Sequence, residues 1–79
     1  MSKEEAVKEL LHMLDNDTYG HDLAEFREFL EDVSDDTNKQ EACLRFIDAA
    51  TNCKEQDIFS RLTIYDLYAF YEEAQDENA

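Results

Sequence analysis

The apolar residues of this chain recur every three or four positions along four separate stretches. That spacing places them on one face of an α-helix, which has about 3.6 residues per turn. The four apolar faces comprise Val7, Leu10, Leu11 and Leu14, then Leu23, Phe26, Phe29, Leu30 and Val33, then Cys43, Phe46, Ile47 and Ala50, and finally Ile64, Leu67, Tyr68, Tyr71 and Ala74. Residues 54–61 predict a further short helix that brings Ile58, Phe59 and then Leu62 to the core.

Polar residues mark the beginnings of these helices. In each case a side chain that accepts a hydrogen bond from the first turn precedes an acid or amide by three residues, the pattern of a capping box. The four pairs are Ser2 with Glu5, Asp22 with Glu25, Thr37 with Gln40, and Thr63 with Asp66.

One glycine and no proline in 79 residues disfavour tight β-hairpin turns, and short polar links join the predicted helices. We therefore predict an all-α fold, a compact bundle of four to five short antiparallel helices. It forms a single helical domain, residues 1–79, in which we expect residues 75–79 to be a frayed tail.

The last helix carries the densest group of aromatic residues in a chain without Trp. Its apolar stripe includes Tyr68 and Tyr71, whereas Tyr65 and Phe70 fall outside that stripe. An apolar surface this wide predicts either the central core helix or a core helix with a second face for a partner.

Negative charge dominates the composition, with 21 Asp and Glu residues against 7 Lys and Arg and a formal net charge of −14. Binding to nucleic acid or to an anionic membrane requires a basic surface, so we expect no direct contact with either. A basic protein is the natural partner of such a surface. The alternative interpretation is a solvated charge that only keeps the protein soluble.

The two cysteines, Cys43 and Cys53, are too few for the disulfide framework of a small secreted domain. No stretch approaches the roughly 20 apolar residues that span a bilayer, and no signal peptide or lipidation motif is recognisable. These features predict a cytoplasmic protein with free thiols.

Segment 15–26 resembles the calcium-binding loop of EF-hand proteins, which has acids at its first and third positions, glycine at the sixth and a bidentate glutamate at the twelfth. Asp15, Asp17 and Gly20 match that pattern. Tyr19 occupies a ligand position and Phe26 replaces the bidentate glutamate, so most of the coordination is missing. A polar interhelical loop is the preferred interpretation, and a degenerate EF-hand calcium binder is a third functional hypothesis.

Other ligand and catalytic patterns are lacking. Neither the cysteines nor His12 and His21 have the close ligand spacing of zinc sites. No nucleophile elbow, P-loop or HExxH motif occurs, and we interpret both histidines as surface residues. We therefore predict no enzyme activity, no metal site and no cofactor.

Acidic residues are concentrated between the first and third predicted helices, where Arg27 is the single base. The nine acids are Asp15, Asp17, Asp22, Glu25, Glu28, Glu31, Asp32, Asp35 and Asp36. Glu25, Glu28 and Asp32 would lie along one face of a continuous second helix, spaced about 4.5–6 Å along its axis. Such a row approximates a strand of phosphates and predicts mimicry of DNA. Asp35 or Asp36 has an alternative role at the start of the third helix.

Three functional hypotheses remain. The leading one is a small acidic protein that inhibits or regulates a basic, nucleic-acid-binding partner through these nine carboxylates, in the manner of inhibitors encoded by phages and mobile elements. The alternative is a helical interaction module of the immunity or adaptor type, or a homodimer, that binds through Tyr19, Tyr65 and Phe70. The third is the degenerate EF-hand.

Overall fold

The computed structural model describes residues 1–54 and 57–78, and every regular element within these ranges is helical. The predicted all-α bundle is confirmed for this part of the chain. The elements are α1 (Lys3–Asp15), α2 (Ala24–Phe29), a 3-10 helix (Val33–Asp35), α3 (Thr37–Thr51), α4 (Ile58–Arg61) and α5 (Ile64–Glu77). None of the helices in the described ranges combines the length and the apolar content needed to cross a bilayer.

Helix α1 begins where its capping box predicts. The hydroxyl oxygen of Ser2 accepts a hydrogen bond from the backbone N–H of Glu5 at 3.2 Å, which satisfies one of the free donors of the first turn. The buried face of the helix consists of Ala6, Leu10 and Leu14. Leu11, predicted on that face, is 36% exposed, so the face that packs towards α3 is narrower than the sequence indicates.

The prediction of a second helix that continues to Val33 is wrong beyond Phe29. The N–H of Leu30 still bonds the carbonyl of Phe26 at 3.1 Å, but the N–H of Val33 bonds the carbonyl of Leu30, only three residues back, at 3.3 Å. A longer helix would have gathered acids at its C-terminal end, where the helix dipole disfavours negative charge. The tighter turns keep Val33 buried and place Asp32 outside α2.

Helix α3 packs against both α1 and α5 and is the central helix of the bundle. The ring of Phe46 is fully buried and lies edge-on to that of Phe26, with centroids 5.6 Å apart. Burial raises the pKa of the Cys43 thiol to about 12, so Cys43 is a small apolar core residue at neutral pH. Because α3 occupies the centre of the bundle, the C-terminal helix α5 is a core helix with one exposed face.

The cap of α3 is Asp36 rather than Thr37. The Asp36 carboxylate accepts hydrogen bonds from two backbone N–H groups of the first turn, at 3.0 and 3.2 Å. The predicted Thr37–Gln40 capping box is thus wrong, whereas the alternative role of Asp36 is confirmed. The side-chain amide of Gln40 instead donates to the carbonyl of Val33 at 3.0 Å, which ties the 3-10 helix to α3.

Helix α4 leads into α5, and residues 55–56 of the predicted helix 54–61 lie outside the described ranges. Phe59 and Leu62 pack against the buried core as predicted. The capping box of α5 is also confirmed, because the N–H of Thr63 donates to the carboxylate of Asp66 at 2.7 Å.

Helix α5 continues to Glu77, into the segment 75–79, and the fraying of this tail stays a prediction. Residue Ala79 lies outside the described ranges. The side-chain amide of Asn78 donates to the carbonyl of Ala74 at 2.9 Å and to the side-chain oxygen of Asn38 at 2.8 Å. These bonds attach the end of α5 to the first turn of α3.

Candidate functional site

Five of the nine acids of the segment are exposed and have no counterion in the described ranges. They are Glu25, Glu28, Glu31, Asp32 and Asp35, and we term them the acidic surface. Within residues 1–54 and 57–78, no Lys, Arg or His side-chain nitrogen lies within 4.0 Å of these carboxylates. Because α2 ends at Phe29, the acidic surface follows α2, a turn and the 3-10 helix rather than one continuous helical row.

Two further acids, Asp15 and Asp22, are exposed but already engaged. The Asp15 carboxylate lies 3.0 Å from the guanidinium of Arg27, with side-chain exposures of 65% and 52%, so this ion pair adds little to stability. The Asp22 carboxylate accepts a hydrogen bond from the N–H of Ala24 at 3.2 Å, at the start of α2. The single base of the segment therefore neutralises Asp15 and none of the acidic surface.

Asp17 and Asp36 do not belong to an exposed surface, contrary to the prediction. The side chain of Asp17 is 7% exposed and accepts a hydrogen bond from the N–H of His21 at 2.9 Å. The Asp36 carboxylate caps α3 and accepts the hydroxyl of Tyr71 at 2.9 Å. Burial acts to raise the pKa of Asp36, but the hydrogen bonds from Tyr71 and the backbone outweigh it and leave that pKa lowered. Both carboxylates hold the fold together.

The exposed aromatic residues differ from the predicted set. Tyr65 and Tyr19 are 73% and 55% exposed, in agreement with the prediction. Phe70 is half-buried and packs against the core, so it is not an exposed aromatic residue. Tyr68, which the apolar stripe of α5 predicts to be buried, is 38% exposed.

Tyr68 joins the exposed aromatic residues of α5 to the acidic surface. Its ring centroid is 6.4 Å from that of Tyr65 and 5.9 Å from that of Phe29 in α2. Desolvation raises the pKa of the Tyr68 hydroxyl, and the negative charges of Glu25 and Glu28 raise it further. Both glutamates lie on α2 next to Phe29, one helical turn before it and directly before it, so they are close to its contact with Tyr68. We term Tyr65, Tyr68, Glu25 and Glu28 the acidic–aromatic patch.

His21, interpreted from the sequence as a surface residue, is half-buried between two carboxylates. Its Nδ1 lies 2.9 Å from Asp17 and its Nε2 lies 3.2 Å from Asp57. The hydrogen bond to Asp17 raises the pKa of the His21 imidazole against the effect of burial, and the charge of Asp57 adds to the shift. The cluster therefore favours an imidazolium, which links the α1–α2 loop to the residue that precedes α4.

The same three side chains are of the types that bind divalent cations. Their ligand atoms all lie within 4.8 Å of one another, and the buried Oδ1 of Asp57 has no hydrogen-bond partner in the described ranges. Both nitrogens of His21 already face carboxylates, so a metal ion would have to replace a proton that now joins one of these pairs. The sequence did not reveal this cluster because Asp57 is far from His21 along the chain.

The loop that resembles an EF-hand directs its acids to different partners. Asp15 contacts Arg27, whereas Asp17 contacts His21. Gly20 adopts a φ of 76°, a left-handed conformation that glycine accepts without strain and that suits a turn. In the described ranges the one group of three ligating side chains contains Asp17 but not Asp15. Calcium binding stays the third functional hypothesis.

Comparisons of this chain with protein-family models, with curated proteins and with solved structures found no match.

Proposed function

We propose that this protein is a small, non-enzymatic binding protein that inhibits or regulates a basic, nucleic-acid-binding partner by covering its positively charged surface. The observation that carries the proposal is the acidic surface, with five exposed carboxylates and no cation near them in the described ranges. Closely spaced like charges repel and lower stability. A cationic partner would remove that repulsion on binding.

Several cations of the chain are committed to other groups. Arg27 pairs with Asp15 at 3.0 Å, and Arg45 contacts three glutamates of α3 and α5. The ammonium of Lys39 donates to the carbonyl of Phe29 at 3.0 Å. None of these three cations contacts the acidic surface, which supports a role for it outside the chain.

The chemistry of nucleic-acid-binding surfaces is the complement of this arrangement. Such surfaces neutralise closely spaced phosphates with Lys and Arg, and the acidic surface concentrates its carboxylates in one short segment, residues 25–35. Long-range attraction between the two would speed association and would weaken as ionic strength rises. Duplex DNA should compete for the same partner surface.

Affinity capture from a cell lysate tests the proposal, at about 0.1 M and about 0.5 M salt, with identification of the captured proteins by mass. We expect a basic nucleic-acid-binding protein that is held at the lower salt, released at the higher salt and displaced by duplex DNA. The variant of the acidic surface is E25Q/E28Q/E31Q/D32N, which should lose this capture. The matched control is E9Q/D48N/E73Q/D76N, which removes four exposed acids elsewhere and should retain it.

Equal capture by the two variants would contradict the proposal, because the position of the acids on the surface would then have no effect on binding. A single partner that survives the higher salt and ignores duplex DNA would also contradict it. That result would indicate an apolar contact instead of a charged one.

A further inference from the structure

Two tyrosines of α5 expose their rings beside the acidic surface. Tyr65 is 73% exposed and Tyr68 is 38% exposed, and their centroids lie 6.4 Å apart in an edge-to-face arrangement. Leaving two adjacent phenol rings in water forgoes the free energy that burial of their apolar area would release. Tyrosines in such positions are typical of surfaces that bind a partner.

The inner side of the Tyr68 ring packs against the core of the protein. Its ring packs against the buried Phe29 at 5.9 Å, and Phe29 also contacts Tyr71 at 5.5 Å. The hydroxyl of Tyr71 donates in turn to the carboxylate of Asp36 at 2.9 Å. A ring that is held in this way keeps its outer face in place, which lowers the entropic cost of binding.

Carboxylates lie beside the ring of Tyr68. Glu25 and Glu28 are exposed on α2, one helical turn before and directly before Phe29, and Phe29 contacts that ring. In the part of the chain that the structure describes, no basic side chain is within ion-pair distance of either glutamate. The patch thus offers ring faces and unneutralised carboxylates together, which suits a cation with a planar body.

The inner ring of the same aromatic group already holds a cation of the chain. The ammonium of Lys39 lies 5.0 Å from the centroid of Phe29 and donates to the carbonyl of that residue at 3.0 Å. Over residues 1–54 and 57–78, no cation is seated on the rings of Tyr65 or Tyr68. The outer part of the group therefore has the aromatic faces and the acids, and a partner can supply the cation.

We infer that the acidic–aromatic patch binds an arginine side chain of the partner, with the guanidinium stacked on a tyrosine ring and its N–H groups donating to Glu25 or Glu28. The inference rests on the proposed function, because it names the cation that this part of the acidic surface receives. Arginine fits better than lysine. Its planar, weakly hydrated guanidinium stacks on aromatic faces and forms paired hydrogen bonds with a carboxylate.

A second copy of the chain is a poor occupant of this patch. A symmetric dimer brings the same surface of both copies together, so Glu25 and Glu28 would face their own counterparts in a chain of formal net charge −14. Like charges brought together at an interface are unfavourable. Charge complementarity therefore selects a cationic segment of a different protein.

The test is a calorimetric titration of the full chain, at about 0.1 M salt, with two peptides of equal length and charge. One peptide consists of Arg-Gly repeats and the other of Lys-Gly repeats. We expect the arginine peptide to bind about two- to fivefold more tightly. In Y65L/Y68L, which keeps apolar side chains at both positions, this preference should disappear while weaker binding of both peptides remains. The control Y19L replaces an exposed tyrosine of the α1–α2 loop and should keep the preference.

Equal affinity of the wild type for the two peptides overturns the inference, and so does a preference that survives in Y65L/Y68L. A dimer in sedimentation that this double variant abolishes would also overturn it, because the patch would then serve a second copy. Circular dichroism establishes that each variant keeps its helices. Failure of the proposed function gives a different result: arginine preference without acid-dependent capture contradicts only that proposal, and acid-dependent capture without arginine preference contradicts only this inference.

Discussion

Two acidic regions of this protein differ in what surrounds their carboxylates. Where α3 meets α5, the guanidinium of Arg45 lies 3.3 Å from Glu41 and 3.4 Å from Glu73 and also contacts Glu77. On the acidic surface, five carboxylates have no cation near them in the described ranges. The charges around Arg45 join two packed helices. The carboxylates of the acidic surface are exposed to solvent and repel one another.

Negative charge has different consequences in these two regions. Around Arg45, one shared guanidinium offsets the repulsion among three glutamates, although the side chains of Glu73 and Glu77 are 63% and 59% exposed and solvent weakens the attraction. Within residues 1–54 and 57–78, the acidic surface has no such compensation. We therefore expect its charges to cost stability, and the proposed basic partner would offset that cost.

The largest expected effect distinguishes two neighbouring acids, Asp35 and Asp36. Asp36→Ala removes the cap of α3 and the acceptor of the Tyr71 hydroxyl, so we expect the free energy of unfolding to fall by about 2–3 kcal/mol. Asp35→Ala changes an exposed residue and should alter that free energy by less than about 0.5 kcal/mol. Urea denaturation measures both values. Equal losses of unfolding free energy would contradict the distinction between Asp36, which caps α3, and Asp35, which belongs to the acidic surface.

A smaller effect should have opposite signs in the two regions. Arg45→Gln leaves three glutamates without their shared cation and should lower the free energy of unfolding, by a small amount because solvent screens these contacts. The variant E25Q/E28Q/E31Q/D32N relieves repulsion and should raise it by about 0.5–1 kcal/mol at low ionic strength. Thermal denaturation at about 0.02 M and about 0.5 M salt checks both, because screening should remove most of the gain. A loss of stability in the fourfold variant would show that these carboxylates make favourable contacts that outweigh their mutual repulsion.

The smallest expected effect is the pH dependence of stability that arises from His21 and Asp17. Because the hydrogen bond to Asp17 raises the pKa of His21 above its ordinary 6.5, the folded state favours the protonated imidazole. Its contribution to stability is complete below pH 6.5 and is lost as the pH rises through the raised pKa. We expect the melting temperature to fall by a few degrees between about pH 6 and pH 8, and this fall should be absent in His21→Gln.

His12→Gln is the control for that experiment, because His12 is exposed on α1 and lies outside the Asp17–His21–Asp57 cluster. It should keep the pH profile of the wild type.

At acid pH, the contribution of Asp17 to stability depends on pH in the opposite direction. The pKa of Asp17 is lowered from its ordinary 3.8 by the hydrogen bond with His21, so its contribution is present above that value and is lost as the pH falls through the lowered pKa. Identical profiles for wild type and His21→Gln would contradict a stabilising role of the cluster.

Local spacing was sufficient to predict most of the fold. The three long helices α1, α3 and α5 follow the apolar periodicity, and the N-terminal cap at Ser2 and the capping box at Thr63 depend on residues only three positions apart. The errors lie where tertiary contacts compete with local pattern. The second helix ends at Phe29 and the chain tightens to keep Val33 in the core.

The candidate site was predictable only in part. The acids of α2, Glu25 and Glu28, are exposed as the polar side of an amphipathic helix should be. In the sequence, Asp17 and Asp36 are two further acids of the same segment, and their burial depends on distant residues. Asp36 accepts the hydroxyl of Tyr71, 35 residues away, and His21 joins Asp17 to Asp57. The exposure of Tyr68 was not predictable either, since its position on the apolar stripe predicts burial.

The helical class and the sign of the surface charge were thus determined by sequence, because they depend on the spacing of apolar residues and on the ratio of acids to bases. Tertiary structure decided which carboxylates are neutralised and which aromatic rings reach solvent. Those outcomes depend on contacts between distant segments, such as Arg45 with Glu77 and Phe29 with Tyr68. Packing energies fall off steeply with distance, and solvent and salt screen distant charges. The neighbours that the fold supplies therefore determine what each charged or aromatic side chain does.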